Sequence, residues 1–212
     1  MYRLMNDNCE QVLAELARIS DVPRYLELRR RLCTTNVATD LDFQNSYRDY
    51  WRMGFSRLGR HFYRDYFDHM QALKIAGTPP SDILIREIAL LSDTPERPSL
   101  QFSFATKLLN TLDAREPVYD THVTSFYFFV PPASDRRLET RLDALLEFYD
   151  FLRGEYARVI RQGLLADPIC RFRERFTAGG ELQDERIVDM LIWGFVTLMR
   201  RGVQQRGAVL YR

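Results

Sequence analysis

The sequence predicts an all-α protein. Apolar residues recur at helical spacing in nearly every segment. The breaks between segments carry Pro, Gly and Ser/Asp cap signals. No segment alternates in the manner of a strand between hairpin turns. The 212 residues suit a single helical domain, 1–212. A lobe boundary near residues 76–80 would divide it into 1–78 and 79–212, with a cleft between.

The elements follow in order. Residues 7–19 place Val12, Leu13, Leu16 and Ile19 on one side, with Asp7 or Asn8 as the cap. Asp21 and Pro23 open a second helix to about Leu32, where Pro in the first turn costs no intrahelical bond. Residues 34–42 are a polar connection. Two aromatic-rich helices cover 41–53 and 56–73. Phe43, Tyr47, Tyr50 and Trp51 share a side of the first, and Phe62, Tyr66, Phe67, Met70 and Leu73 a side of the second. Arg48, Arg52, Arg57, Arg60 and Arg64 are interleaved. This pattern reads first as a core stripe with a solvated basic back, and second as a surface that stacks bases and touches phosphate. Breaks at 76–82 and 92–100 flank a helix that Ser81 or Asp82 caps. Ser134 or Asp135 caps a long helix over 135–162. Asp167 and Pro168 open a short one to Phe176, residues 178–180 turn, and 181–201 form the last helix.

Composition narrows the function. The formal net charge of +1 excludes a wholesale polybasic nucleic-acid binder but not a local basic face. The 30 Lys and Arg are overwhelmingly Arg, whose planar fork suits phosphate. Cys9, Cys33 and Cys170 form neither a CxxC pair nor a disulfide framework, so a reduced cytoplasm is expected. The start lacks a signal-peptide core, and Ile187–Met199, interrupted by Asp189, is too short to span a bilayer. His61, Asp65 and His69 lie one turn apart on one face, but no convincing metal set emerges and no metal is expected.

The chemistry concentrates in residues 98–130. Phe102, Phe104, Ala105, Leu108, Leu109 and Leu112 make a helix apolar nearly all round, and Lys107 sits within it. Such a lysine either snorkels to the surface or stands in a cleft. Burial there would lower its pKa and make it a good amine nucleophile. Asp120 follows Pro117 and is a natural N-cap for the helix beginning Thr121-His122-Val123. Accepting backbone N–H bonds, it would stay ionised and could stabilise a developing cation or orient a water. Lys107 to about Leu112 is roughly 7–8 Å of helix. Residues 113–119 span at most about 25 Å. The chain is therefore able to turn back and bring Asp120 beside Lys107.

Thr106-Lys107 followed by Pro117-Val118-Tyr119-Asp120-Thr121-His122-Val123 resembles the signature of the helix-hairpin-helix DNA glycosylases, the relatives of endonuclease III and 8-oxoguanine DNA glycosylase. The resemblance implies a helical glycosylase fold and a duplex DNA partner carrying a modified or damaged base. It implies that Lys107 attacks C1′ of the target nucleotide and forms a Schiff base. Asp120 would stabilise the oxocarbenium-like transition state and activate the amine. The flipped base would enter an aromatic pocket, with Tyr47, Trp51, Phe102, Phe104 and His122 as candidate walls. The base is a damaged one in DNA repair, or a modified one in foreign DNA, as in phage defence. No cofactor is implied.

The chain departs from the family pattern in three ways. Residues 99–105 hold no glycine where the family's hairpin has several, the Lys-to-Asp spacing is shorter, and there is no four-cysteine cluster for an iron–sulfur centre. The missing glycines favour a rival reading, a non-catalytic helical DNA-binding or protein-interaction domain that keeps a glycosylase-like fold.

Overall fold

A computed structural model describes residues 1–55, 58–77, 82–92 and 99–204. The described residues form eleven α-helices and two short 3-10 turns, with no strand, so the fold is all-α. The helices are α1 (Tyr2–Asp7), α2 (Cys9–Ile19), α3 (Val22–Thr34), α4 (Leu41–Tyr50), α5 (Arg60–Ala76) and α6 (Asp82–Ala89). They continue with α7 (Phe102–Leu112), α8 (Thr121–Phe126), α9 (Leu138–Arg161), α10 (Ala166–Arg175) and α11 (Asp184–Gln204). No helix among the described residues is long and apolar enough to cross a membrane.

Several bounds differ from the sequence reading. Residues 2–7 form a helix of their own, and α2 starts at Cys9. Asn8 stands at its N-cap position but does not cap it, because its Nδ2 donates to Leu4 O at 2.8 Å. The long helix begins at Leu138, three residues beyond Asp135. Arg57, Ser81 and most of the breaks at 76–82 and 92–100 lie outside the described residues.

The chain divides into two compact units. The first comprises Met1–Val22, Ala114–Pro131 and the described residues from Glu147 on; the second comprises Pro23–Asp113 and Pro132–Leu146. The position near 78 expected to separate lobes falls within the second unit.

In the first unit α11 packs on α2 and α8, and α10 on α2 and α11. Contacts on several sides explain why α11 buries Ile187, Val188, Leu191, Ile192 and Phe195 completely. Gly194 makes the approach to α2 close: a Cβ there would lie 2.6 Å from Leu16 Cγ, itself fully buried. Gly194→Ala should therefore destabilise despite the better helix propensity of Ala. Overpacking costs about 1–3 kcal/mol and propensity returns about 1. The expected result is a net loss of roughly 1 kcal/mol in denaturant titration.

The end of α8 shows a second local device. Phe129 N–H donates to Thr124 O at 2.9 Å and Phe128 N–H to Ser125 O at 3.3 Å. Those are the two bonds of a Schellman cap, with Phe128 in the left-handed position (φ 55°) that glycine usually fills. The aromatic helix α8 stops at Phe126 for this reason. Phe128 is 75% exposed, so its ring is not held by the core. Phe128→Gly should raise stability by roughly 0.5–1 kcal/mol, since an L-residue with a Cβ pays about 1–2 kcal/mol in that conformation.

The second unit is built on an aromatic core of Tyr25, Phe43, Tyr47, Phe62, Tyr66, Phe67 and Phe102, all buried. Asp40 caps α4 by accepting the Phe43 N–H at 2.9 Å, and also takes Thr35 and Arg31. The cap bond first, then Thr35 and Arg31, hold its carboxyl down to about 2.

Candidate functional site

Lys107 lies midway along α7 in the second unit. Its helix is held from three sides. Tyr66 Oη donates to Phe104 O at 2.9 Å, Tyr25 Oη to Asn110 Oδ1 at 2.9 Å, and Trp51 Nε1 to Thr111 Oγ1 at 3.2 Å. Thr111 in turn donates to Lys107 O at 2.8 Å. Lys107 is half-buried, and its Nζ stands 5.1 Å from the Phe104 ring centroid. It is one of two lysines in the chain; the other, Lys74, donates to Thr35 O at 2.6 Å.

The aromatic residues expected to line a base pocket have definite places. Tyr47 is fully buried with its hydroxyl 2.8 Å from that of Tyr66, and Trp51 and Phe102 are buried as well. Tyr47 and Trp51 thus brace α7 from within the core. Phe104 is half-buried, 5.8 Å from the Phe62 ring and beside the Lys107 ammonium.

Asp120 belongs to the first unit. Its backbone is extended, and Oδ1 accepts both the His122 N–H at 2.8 Å and the Val123 N–H at 2.9 Å. The carboxylate is the N-cap of α8, as the Pro117–Asp120 spacing predicts, and Oδ2 takes part in neither cap bond. His122 is half-buried, its ring 4.9 Å from that of Trp193 on α11. Arg200 joins α11 to α8 by donating to Thr121 O at 3.0 Å and Ser125 Oγ at 2.8 Å.

The segment leading to Asp120 is gripped at three successive residues. Glu116 Oε2 accepts Arg153 Nε at 3.0 Å and lies 2.9 Å from the Tyr149 hydroxyl. Pro117 O lies 3.0 Å from that same hydroxyl. Val118 N–H donates to Asp189 Oδ1 at 3.3 Å. Asp189 is 6% exposed and takes two more donors: Tyr156 Oη on Oδ1 at 3.0 Å and Arg186 Nη1 on Oδ2 at 2.6 Å. Burial, reinforced by the nearby Asp120 charge and opposed by Arg186, pushes its carboxyl up to about 6. Tyr119, half-buried beside Asp120, is pushed up to about 12, by burial first and by that charge second.

Sequence reasoning missed Asp189 and Arg186. The available signal was Asp189 itself, a charged residue inside the apolar stretch Ile187–Met199, with Arg186 three residues before it at helical spacing.

Lys107 and Asp120 stand on different units, so their pairing belongs to the proposal below. Compared with protein-family models, with curated proteins and with solved structures, the chain matches none of them.

Proposed function

We propose that the protein is a DNA glycosylase with AP-lyase competence that excises a damaged or modified base. The observation that carries this reading is Asp120, an acid held as the N-cap of α8 on a segment gripped at Glu116, Pro117 and Val118, with Oδ2 outside the cap. An acid so placed is preorganised to meet developing positive charge without reorganising first. Lys107 supplies the amine. Its nitrogen attacks C1′, the N-glycosidic bond breaks, and the base departs with that bond's electron pair and takes up a proton. The amine gives up two protons in turn, one balancing the departing base and one passing to the ring oxygen O4′, which leaves C1′ with its bonding pair as the sugar ring opens, and an imine joins Nζ to C1′.

Borohydride tests the reading without requiring the right base. Reduction of the imine on DNA carrying an abasic site leaves a stable secondary amine, seen as a covalent protein–DNA adduct. Lys107→Ala should abolish the adduct. That variant leaves Lys74 and the N-terminal amine as its only other primary amines, so the assignment is clean. An adduct that persists in Lys107→Ala would place the amine elsewhere. No adduct on any abasic DNA would remove the lyase claim and favour a helical DNA-binding domain without catalysis.

A further inference from the structure

We propose that Asp189 is the positioning residue for Asp120: by holding the Val118 N–H from inside the first unit, it sets the start of α8 and so the direction of the Asp120 carboxylate. The inference rests on the reading of Asp120 as the reactive acid, but its geometry stands apart from that reading.

Three observations carry it. Asp189 is buried within α11 among the fully buried Ile187, Val188, Leu191 and Ile192, so its carboxylate is held in the core of the first unit. Its Oδ1 reaches the backbone N–H two residues before Asp120, while Tyr156 on Oδ1 and Arg186 on Oδ2 fix the orientation of the carboxylate. Neighbouring anchors act on the same short segment, since Tyr149 and Arg153 hold residues 116 and 117. A chain held at residues 116, 117 and 118 has little freedom left at 120.

The two carboxylates also share a field. The groups facing Asp189 are Arg186 on its own helix, Tyr149 and Tyr156 on α9, and Asp120 and Tyr127 from the α8 segment. Protonating Asp189 removes a negative charge from beside Asp120 and weakens the grip on Val118. The Asp120 cap should therefore respond to the ionisation of a residue 69 positions away in the chain.

The test follows backbone amides of the full chain by 1H–15N spectroscopy between pH 4.5 and 8. Three forms are compared: wild type, Asp189→Asn and Tyr156→Phe. In wild type, the amides of Val118, His122 and Val123 should move together with one midpoint near 6. Asp189→Asn keeps the acceptor but cannot ionise, and the shared transition should vanish. Tyr156→Phe removes a donor to the carboxylate and should move the midpoint to higher pH by about half a unit or more. Should Asp189→Asn fail to fold, Tyr156→Phe still decides, because the midpoint either moves or stays. A transition at His122 and Val123 that survives in Asp189→Asn, or a midpoint unmoved in Tyr156→Phe, overturns the proposal. So does a response confined to Val118. Where wild type forms the borohydride adduct, Tyr156→Phe should shift the acid limb of adduct formation by the same amount, with KM unchanged. Where it forms none, the lyase claim fails while the amide titration still judges the positioning role.

Discussion

Under the proposed glycosylase reading, Asp120→Asn should lower base excision by about 10²–10³-fold, the typical cost of losing one preorganised electrostatic group in a transition state. The substitution separates chemistry from structure. Asn caps a helix as well as Asp does, so the bonds from His122 and Val123 N–H can be kept by the amide oxygen. Only the charge is lost. Asp120→Ala removes cap and charge together and should add a stability loss of about 1 kcal/mol. Excision rates measured beside denaturant midpoints on both variants test this. An Asn variant as active as wild type would remove Asp120 from the reaction. An Asn variant as unstable as the Ala variant would show that the charge serves the fold.

Asp189→Ala should be the most destabilising single change in the site, by about 3–5 kcal/mol at neutral pH. Removing it takes from the buried Arg186 guanidinium the carboxylate 2.6 Å away. The Val118 amide and the Tyr156 hydroxyl lose their acceptor as well. The melting temperature should fall on the order of 10 °C. The wild-type protein carries a related pH dependence. The folded carboxyl sits at about 6, above its ordinary value of 3.8, so the fold favours the protonated form. That contribution is fully present below about pH 4 and is lost as pH rises through 6. Its size is on the order of 3 kcal/mol. Asp40 acts in the opposite sense. Its folded carboxyl is held down to about 2, so its contribution is present above pH 4 and is lost on acidification toward 2. Unfolding free energies measured from pH 3 to 8 should show the loss above pH 4 in wild type, and Tyr156→Phe should carry that loss to higher pH.

Local signals made most of the helices and the Asp120 cap readable from the sequence. The apolar run 102–112 became α7 within its expected limits. Asp120 caps α8 because a cap is a short-range device that sequence spacing describes well. Local rules failed where another partner competed. Asn8 has the side chain of a cap but bonds back to Leu4. Phe128 stops α8 with the geometry of a glycine and no glycine to announce it. The Asp189 cluster was harder still, because Val118 and Tyr156 lie 71 and 33 residues away along the chain. Hydrophobic periodicity holds no information about such meetings. Tyr47 and Trp51 show the converse. Their aromatic stripe suggested both a core and a stacking surface, and their hydroxyl and indole bonds place them among the internal supports of α7.

The scarcity of lysine turns the setting of Lys107 into a spectroscopic handle. Reductive methylation with 13C-labelled formaldehyde would yield resonances from Lys74, Lys107 and the N-terminal amine alone. Lys107 Nζ stands by the Phe104 ring, whereas Lys74 is tied to a backbone carbonyl. Ring current from Phe104 should displace the Lys107 methyl signal from that of Lys74. Binding of any ligand near α7 could then be watched at one nucleus, before its chemical identity is known.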